Sequence, residues 1–356
     1  MPESALLKFN RPLHGFAVLT ALLTFLLLGA GGLVTSHEAG MSVPDWPNSF
    51  GYNPFALPFK FWKGGVFFEH THRLIASAVG LLTIILAVWL WLKDPRRWVQ
   101  WLGVAAFLLV VAQGILGGMR VVLSEAELGA IHGVVGQSFF VLMSAIALFT
   151  GRFWAKWSAV KEMSGATRGL KMLVLAATLL IFCQLILGAT MRAQHAGLAI
   201  TDFPTAYGKV WPDTSFAAVA HYNTDRMDVV AEEPITAFQI ILQMVHRILA
   251  LAILVLVVAS AWRAWCQLGL KNPLAKLAVF WLTLMVCQIG LGAATIWTNK
   301  AADVATAHVL GGALSLVTGA LWCIIAFRHS AVLPGIAPAA TISGAYGGTP
   351  AMAANK

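Results

Sequence analysis

The chain has 356 residues, of which 59% are hydrophobic and 11% are charged, and its mean hydropathy is +0.77. A soluble domain carries about 25% charged residues, so this composition excludes a soluble globular protein and indicates an integral membrane protein in contact with lipid. The net charge of +9 does not indicate a nucleic-acid partner, because the basic residues are scattered over short loops and form no basic patch.

The first apolar run, residues 15–35, follows Lys8 and Arg11 as the core of a signal peptide would. It shows no convincing small-residue cleavage site and is long enough to cross a bilayer of about 30 Å, so we expect it to be retained as the first membrane span. The four cysteines lie in or beside apolar runs and form no C-x-x-C motif, so neither a loop disulfide nor a cysteine metal site is predicted.

Seven further apolar runs predict an all-α integral membrane protein with eight transmembrane helices. The predicted spans are 15–35, 69–92, 98–118, 129–150, 170–190, 236–262, 274–295 and 304–327. Most lysines and arginines then lie on the side of the amino terminus. The positive-inside rule therefore predicts a multi-pass protein of the cell (plasma) membrane with both termini in the cytoplasm.

The two halves of the chain are repeats: segment 40–47 matches 197–204, and segment 113–117 matches 288–292. The second outer loop is longer than the first. Because each repeat holds four helices, both cross the membrane in the same direction, which predicts two parallel four-helix-bundle repeats. The expected divisions are a cytoplasmic amino terminus (1–14), the N-terminal repeat (15–150), a cytoplasmic linker (151–169), the C-terminal repeat (170–328) and a disordered cytoplasmic tail (329–356).

Each repeat carries two histidines near the outer ends of its helices. The motif EHTHR contains His72 and recurs as QMVHR around His246, and each motif is followed at nearly the same separation by one more helical histidine, His132 or His308. A lone histidine in a membrane helix is more often an interhelical hydrogen-bonding residue, and copper or zinc would need a further ligand. The repeated pairs instead predict two haem irons, each with two axial imidazoles.

The residues beside these histidines differ between the halves. Arg73 and Arg247 directly follow a predicted ligand, and we expect them to pair with haem propionates unless they are interfacial arginines. Glu69 lies on the same helix face as the first ligand, whereas the second half has Gln243 there. The carboxylate predicts proton-coupled chemistry at the first site only, unless Glu69 is a helix N-terminal cap. His70 points away and is expected to be interfacial.

The ordered set of motifs resembles the haem A synthase family over roughly residues 12–328. The motifs that carry the resemblance are GLVTS (32–36), PDWP (44–47), Glu69-x-x-His72-Arg73, His132, His246-Arg247 and His308. Each piece alone is a weak signal, whereas the set in this order, with its internal repeat, is specific.

The resemblance implies an oxidoreductase that oxidises the C8 methyl group of haem O to a formyl group by successive hydroxylation, giving haem A for cytochrome oxidases. It implies that the N-terminal half binds the substrate haem between His72 and His132 with Glu69 essential. It also implies that the C-terminal half holds haem b between His246 and His308.

The chain departs from the family in two places. Some members have a cysteine pair in the first outer loop, which this chain lacks, and its extended loop 209–235 is expected to be solvated unless it covers the second haem or docks a partner. Two other functions stay open: a di-haem membrane cytochrome b that only transfers electrons, and a small-molecule transporter. Haem O synthase, oxidase assembly factors and a second copy of the chain are candidate partners, whereas nothing in the sequence identifies the electron donor.

Overall fold

The computed structural model describes residues 9–157, 165–225 and 234–328, and this part of the chain is all-α. Its helices are α1 (Arg11–Ser36), α2 (Gly65–Lys93), α3 (Arg97–Leu123), α4 (Ala126–Thr150), α5 (Arg152–Trp157), α6 (Arg168–Ala193), α7 (Phe216–Asp225), α8 (Ala237–Leu268), α9 (Pro273–Trp297) and α10 (Ala302–Phe327). All except α5 and α7 are long and apolar enough to cross a membrane. The predicted all-α fold with eight spans is therefore confirmed, and the chain is a multi-pass membrane protein.

The outer ends of several helices lie beyond the predicted limits. α2 begins at Gly65 rather than at residue 69, α3 runs to Leu123 rather than to 118, and α4 begins at Ala126 rather than at 129. The apolar pattern stops where polar side chains begin, but the outer loops cover these turns and the backbone stays helical. His72 therefore lies in the interior of α2, roughly 10 Å from its start.

Polar side chains cap the beginnings of several spans. Asn10 and Asn272 each accept a hydrogen bond from a backbone N–H of the following first turn, at 3.2 and 2.9 Å. Thr236 and Gln239 form a reciprocal capping box at the start of α8. These caps satisfy N–H groups that the first helical turn leaves unpaired, and they fix where α1, α8 and α9 begin.

The spans pack as two four-helix sets, each closed on itself. In the first set α1 packs on α2, α2 on α3, α3 on α4, and α4 back on α1; α6, α8, α9 and α10 are arranged likewise. Each set has its own buried apolar core. The two cores include Leu86, Leu90, Met143 and Ile146 in the first set, and Leu170, Ile253, Trp281 and Trp322 in the second. The parallel relation of the repeats and their exact limits stay predictions.

The two sets pack together through α1, α4, α6 and α10. Phe140 of α4 lies in a small core with Ala313 and Val317 of α10. Near the outer end, the hydroxyl oxygens of Ser36 and Thr306 are 3.3 Å apart. Because α10 contacts helices of both sets it is the most buried span, whereas α2, α3, α8 and α9 expose large apolar side chains suited to lipid.

The described part of the extended loop is folded, although many of its side chains are exposed. Residues Phe216–Asp225 form α7, and Tyr222 of this helix is buried and stacks on Tyr207 with 3.6 Å between ring centroids. The Asn223 side chain closes the loop by exchanging two hydrogen bonds with the backbone of Ile235, at 2.8 and 3.0 Å. Aromatic burial of this kind outweighs the polar character of the segment.

Four predicted features fall partly or wholly outside the described residues. They are the start of the amino terminus (1–8), part of the linker (158–164), the charged stretch of the extended loop (226–233) and the tail (329–356).

Trp281 supplies a stability test for the second core. Its side chain is 0% exposed, and a Cβ at Gly319 would lie 2.7 Å from its Cζ2, so the fit is tight. We expect Trp281→Ala to lower the free energy of unfolding by about 3–5 kcal/mol, because it leaves a cavity in the core. The matched control is Trp262→Ala, which changes a side chain that is 61% exposed. Thermal unfolding in detergent measures both, and equal losses of stability would contradict this description of the core.

Candidate functional site

The four predicted histidines lie on α2, α4, α8 and α10, each in the interior of its helix near the outer end. In the first half, the ring centroids of His72 and His132 are 6.4 Å apart, and the ring planes cross at 82°. In the second half, His246 and His308 lie close enough to interact electrostatically. The structure thus brings together the two members of each predicted pair.

Each histidine ring packs against a glycine of a neighbouring helix. Cβ atoms built at these glycines would lie 3.1–3.5 Å from the ring Cε1 atoms, and all except the one at Gly188 would be closer than most Cβ contacts. The contacts are His72 on Gly31, His132 on Gly117, His246 on Gly188 and His308 on Gly292. The same contact therefore recurs four times, twice in each half.

The burial of one ring nitrogen determines which nitrogen is available to a metal. In all four rings Nδ1 lies on the buried side and has no hydrogen bond of normal geometry. The His132 and His308 rings nevertheless lie beside the carbonyls of Gln113 and Gln288, one turn before the glycine that each ring contacts. A proton on Nδ1, directed at a carbonyl, leaves the Nε2 lone pair free to bind a metal.

Glu69 and Arg73 fasten the first outer loop to α2. The Glu69 side chain is buried; its Oε2 accepts a hydrogen bond from Val43 N at 2.9 Å, and its Oε1 accepts one from Arg73 Nη2 at 2.6 Å. The same guanidinium donates to the carbonyls of Val43, Asp45 and Asn48 at 3.1, 2.7 and 3.0 Å. The loop is therefore held by a buried, charge-assisted network.

Gln243 and Arg247 fasten the second outer loop in the same way. The buried Gln243 side chain accepts from Ile200 N at 2.6 Å and donates to the Ile200 carbonyl at 3.3 Å. Arg247 donates to the carbonyls of Asp202 and Thr205 at 2.7 and 2.8 Å. The two halves thus share a geometry but differ in charge, since an amide stands where the first half has a carboxylate.

Asp45 is the charged residue around which the first loop turns. Its carboxylate accepts hydrogen bonds from Phe50 N and Gly51 N at 2.6 and 2.8 Å. Burial alone would raise the pKa of Asp45, but these backbone donors and the Arg73 guanidinium together hold it below the usual value. Asp202 occupies the same place in the second loop, and backbone donors likewise lower its pKa against the effect of burial.

One alternative and one expectation about α2 are wrong. Glu69 is not a helix cap, because α2 begins at Gly65 after Gly64 and the carboxylate binds the loop instead of the helix N–H groups. His70 is not interfacial, because it is fully buried and packs edge-on against Trp62 at 4.8 Å between ring centroids. In both cases the reason is that the first outer loop folds back over the helix.

Sequence reasoning missed two arginines near the histidine pairs. Arg120 at the end of α3 interacts electrostatically with His72 and His132, and Arg192 at the end of α6 does so with His308. Neither has an arginine at the matching position of the other repeat. Their position in the sequence could have identified them, because arginines at the predicted outer end of a span are exceptions to the positive-inside rule.

Known proteins share similarity with most of the length of this chain. The family model COX15-CtaA, described as cytochrome oxidase assembly protein, matches residues 14–320. The protein named heme A synthase in Halalkalibacterium halodurans is 25% identical over 333 residues, covering 91% of this chain and 100% of the relative. That of Alkalihalophilus pseudofirmus is 28% identical over 314 residues, covering 85% of this chain and 93% of the relative. That of Shewanella oneidensis is 25% identical over 321 residues, covering 84% and 92%.

The family model spans most of the chain, from within α1 into α10. The resemblance predicted from the ordered motifs is therefore confirmed, and the chain belongs to the COX15-CtaA family of cytochrome oxidase assembly proteins.

Proposed function

We propose that this chain is a haem A synthase, an enzyme that converts haem O into haem A. The observation that carries the proposal is the pair of facing imidazoles, His72 and His132, inside a four-helix set. Membership of the COX15-CtaA family and the relatives named heme A synthase support the same function.

The residues of the first pair fit a haem iron between their rings. The 6.4 Å between the His72 and His132 centroids leaves room for an iron at metal–nitrogen distances of about 2 Å. Because the Nδ1 atoms are buried, Nε2 is the nitrogen that remains to bind iron. One imidazole from each helix of a pair would hold the iron.

The two sites have different occupants in this proposal. His72 and His132 hold the iron of the substrate, haem O, while His246 and His308 hold a resident haem b. Haem b supplies single electrons when it is bound. The charge difference between the halves supports this assignment, because only the first site has a buried carboxylate, Glu69, where the second has an amide.

The reaction would oxidise the C8 methyl group of haem O by two successive hydroxylations, in which the carbon gives up four electrons to an external oxidant and gains two hydroxyl groups, and loss of water from the twice-hydroxylated carbon leaves the formyl group. The chain is thus an oxidoreductase. The buried Glu69 side chain is held in place by a 2.6 Å ion pair with Arg73. We assign Glu69, His72 and His132 as the catalytic residues, with Glu69 holding or moving a proton on its carboxylate oxygens.

Arg73 and Arg247 are predicted to bind haem propionates, but their hydrogen bonds favour a role in holding the outer loops. The Nη groups of both donate to loop carbonyls, four bonds including the Glu69 contact for Arg73 and two for Arg247. Each arginine directly follows a predicted ligand in the sequence, so Arg73 lies close to the first site and Arg247 lies close to the second. We therefore propose that they act on the haems mainly by holding each outer loop over its site.

We also propose that the chain lies in the cell membrane with both termini in the cytoplasm, on the basis of its basic loops. Both histidine pairs then lie toward the outer face. Haem O synthase, oxidase assembly factors and a second copy of the chain remain candidate partners.

The proposal is tested by extracting and weighing the haems of the purified protein from cells that supply haem O. The wild type is expected to contain haem A and haem b. Glu69→Gln is expected to accumulate haem O or a hydroxylated intermediate, because it removes the carboxylate while keeping the oxygen that accepts from Val43 N, as Gln243 does from Ile200 N. His246→Ala is expected to lose haem b.

Only unmodified haem b in all three proteins would instead indicate a di-haem electron carrier. A protein without any haem would contradict both functions. Haem A at the wild-type level in Glu69→Gln would remove the carboxylate from the mechanism.

The glycine contacts give a second test with a control on the same helix. A Cβ at Gly292 would lie 3.2 Å from His308 Cε1, whereas a Cβ at Gly290 would meet nothing within 4 Å. We expect Gly292→Val to displace the ring and weaken the optical spectrum of a six-coordinate haem in the second site at least several-fold, because close-packed rings tolerate little shift.

Gly290→Val adds the same side chain to the same helix and is expected to leave that spectrum unchanged. Absorption spectra, normalised to the protein concentration, measure both variants. Equal loss of haem in the two would mean that the helix, rather than the ring contact, had been disturbed.

A further inference from the structure

Arg120 is a partly buried cation without a counter-ion. Its guanidinium makes no hydrogen bond or ion pair with the described residues, and its Nε is buried. An unpaired buried charge is costly, whereas a bound carboxylate offers the fork-shaped guanidinium two parallel hydrogen bonds. Such a residue therefore indicates an anionic ligand.

Two glycines place Arg120 directly outward of the first histidine pair. Gly117 lies one turn before Arg120 on the same face of α3 and contacts the His132 ring. Gly129 lies one turn before His132 on α4, and a Cβ there would be 2.9 Å from Arg120 Nε. The guanidinium thus lies between α3 and α4, about one helical turn of 5.4 Å outward of the His132 ring.

The first outer loop closes over this position. Gly40 of the loop lies against the Arg120 guanidinium, and any side chain at Gly40 would collide with it. Glu69 is near enough to interact with Arg120 electrostatically, but its oxygens are bonded to Arg73 and Val43 N. The Glu69 carboxylate is therefore already hydrogen-bonded to other groups, and the N–H groups of Arg120 stay free to bind another anion.

The second half has no such free cation at the matching place. Thr295 occupies the position of Arg120, and its hydroxyl donates to the Leu291 carbonyl of its own helix at 2.9 Å. Arg192, the arginine near His308, donates instead to Ser36 Oγ at 2.7 Å. An unengaged guanidinium is thus a feature of the site that we assign to the substrate.

We propose that Arg120 binds a propionate carboxylate of haem O and positions the substrate in the first site. This inference rests on the proposed function. The C8 methyl shares a pyrrole ring with one of the two propionates, so a guanidinium that holds this propionate also fixes where the reacting methyl lies. Arg120 is a positioning residue, since it does not touch the carbon that is oxidised.

The test compares haem O with its dimethyl ester, which lacks the anionic propionates. Both are titrated optically into the purified protein that carries haem b in the second site. For the wild type we expect the free acid to bind about 10- to 100-fold more tightly than the ester, the effect of a charge-assisted hydrogen bond. Arg120→Gln should lose this preference by weakening only the free acid.

Arg120→Lys keeps the charge without the fork and is expected to keep part of the preference. Arg192→Gln is the matched control and should leave the preference at the wild-type value. The haem b content of each sample reports whether the variant is folded, independently of the first site.

Three outcomes would overturn the assignment. Arg120→Gln with the wild-type preference would show that the guanidinium does not bind the propionate, and an equal loss for acid and ester would show a structural role only. If the wild type binds both compounds equally well, no cation discriminates the propionates. A wild type that binds neither compound would contradict the proposed function itself, and the role of Arg120 with it.

Discussion

The contact between a histidine ring and a glycine of the next helix is the constraint on which both candidate sites depend. The ring edge of His72 fits against Gly31, and that of His132 fits against Gly117, at distances where a β-carbon would already force a shift. Because Nδ1 of each ring is buried, Nε2 is the nitrogen left to bind a metal. The backbone of one helix therefore sets the orientation of a side chain on another.

The outer loops depend on a second constraint, which is that a buried polar side chain must find partners. Glu69 and Gln243 each accept a hydrogen bond from a backbone N–H of the loop, at 2.9 and 2.6 Å. These bonds attach each loop to a helix that carries a predicted ligand. Trp46 of the first loop lies against Gly118, where no side chain would fit. A loop held in this way packs against the ends of α2 and α3.

The sequence was sufficient to predict the spans and the histidine pairs, because long apolar runs and repeated polar residues inside them are both rare by chance. It did not predict that Gly117 contacts His132, since that requires knowing which helix faces make contact. Arg73 was expected at a propionate because it directly follows a predicted ligand, whereas the loop carbonyls that it binds are distant in the sequence and could not be predicted. Arg120 was not predicted because the site residues were recognised by their repetition, and Thr295 occupies the matching position of the other repeat.

In the proposed first site, the cation Arg120 serves binding and the carboxylate Glu69 serves the chemical step. Haem O and haem A carry the same propionates, so a guanidinium at Arg120 stabilises substrate and product alike and contributes orientation rather than turnover. The step that distinguishes them takes place at the methyl group, where a proton must leave as the carbon is oxidised. Glu69 is the buried carboxylate available for that proton, and its 2.6 Å ion pair with Arg73 holds it in place. In the second half Gln243 lacks a titratable group, which suits a site whose haem is bound but not modified.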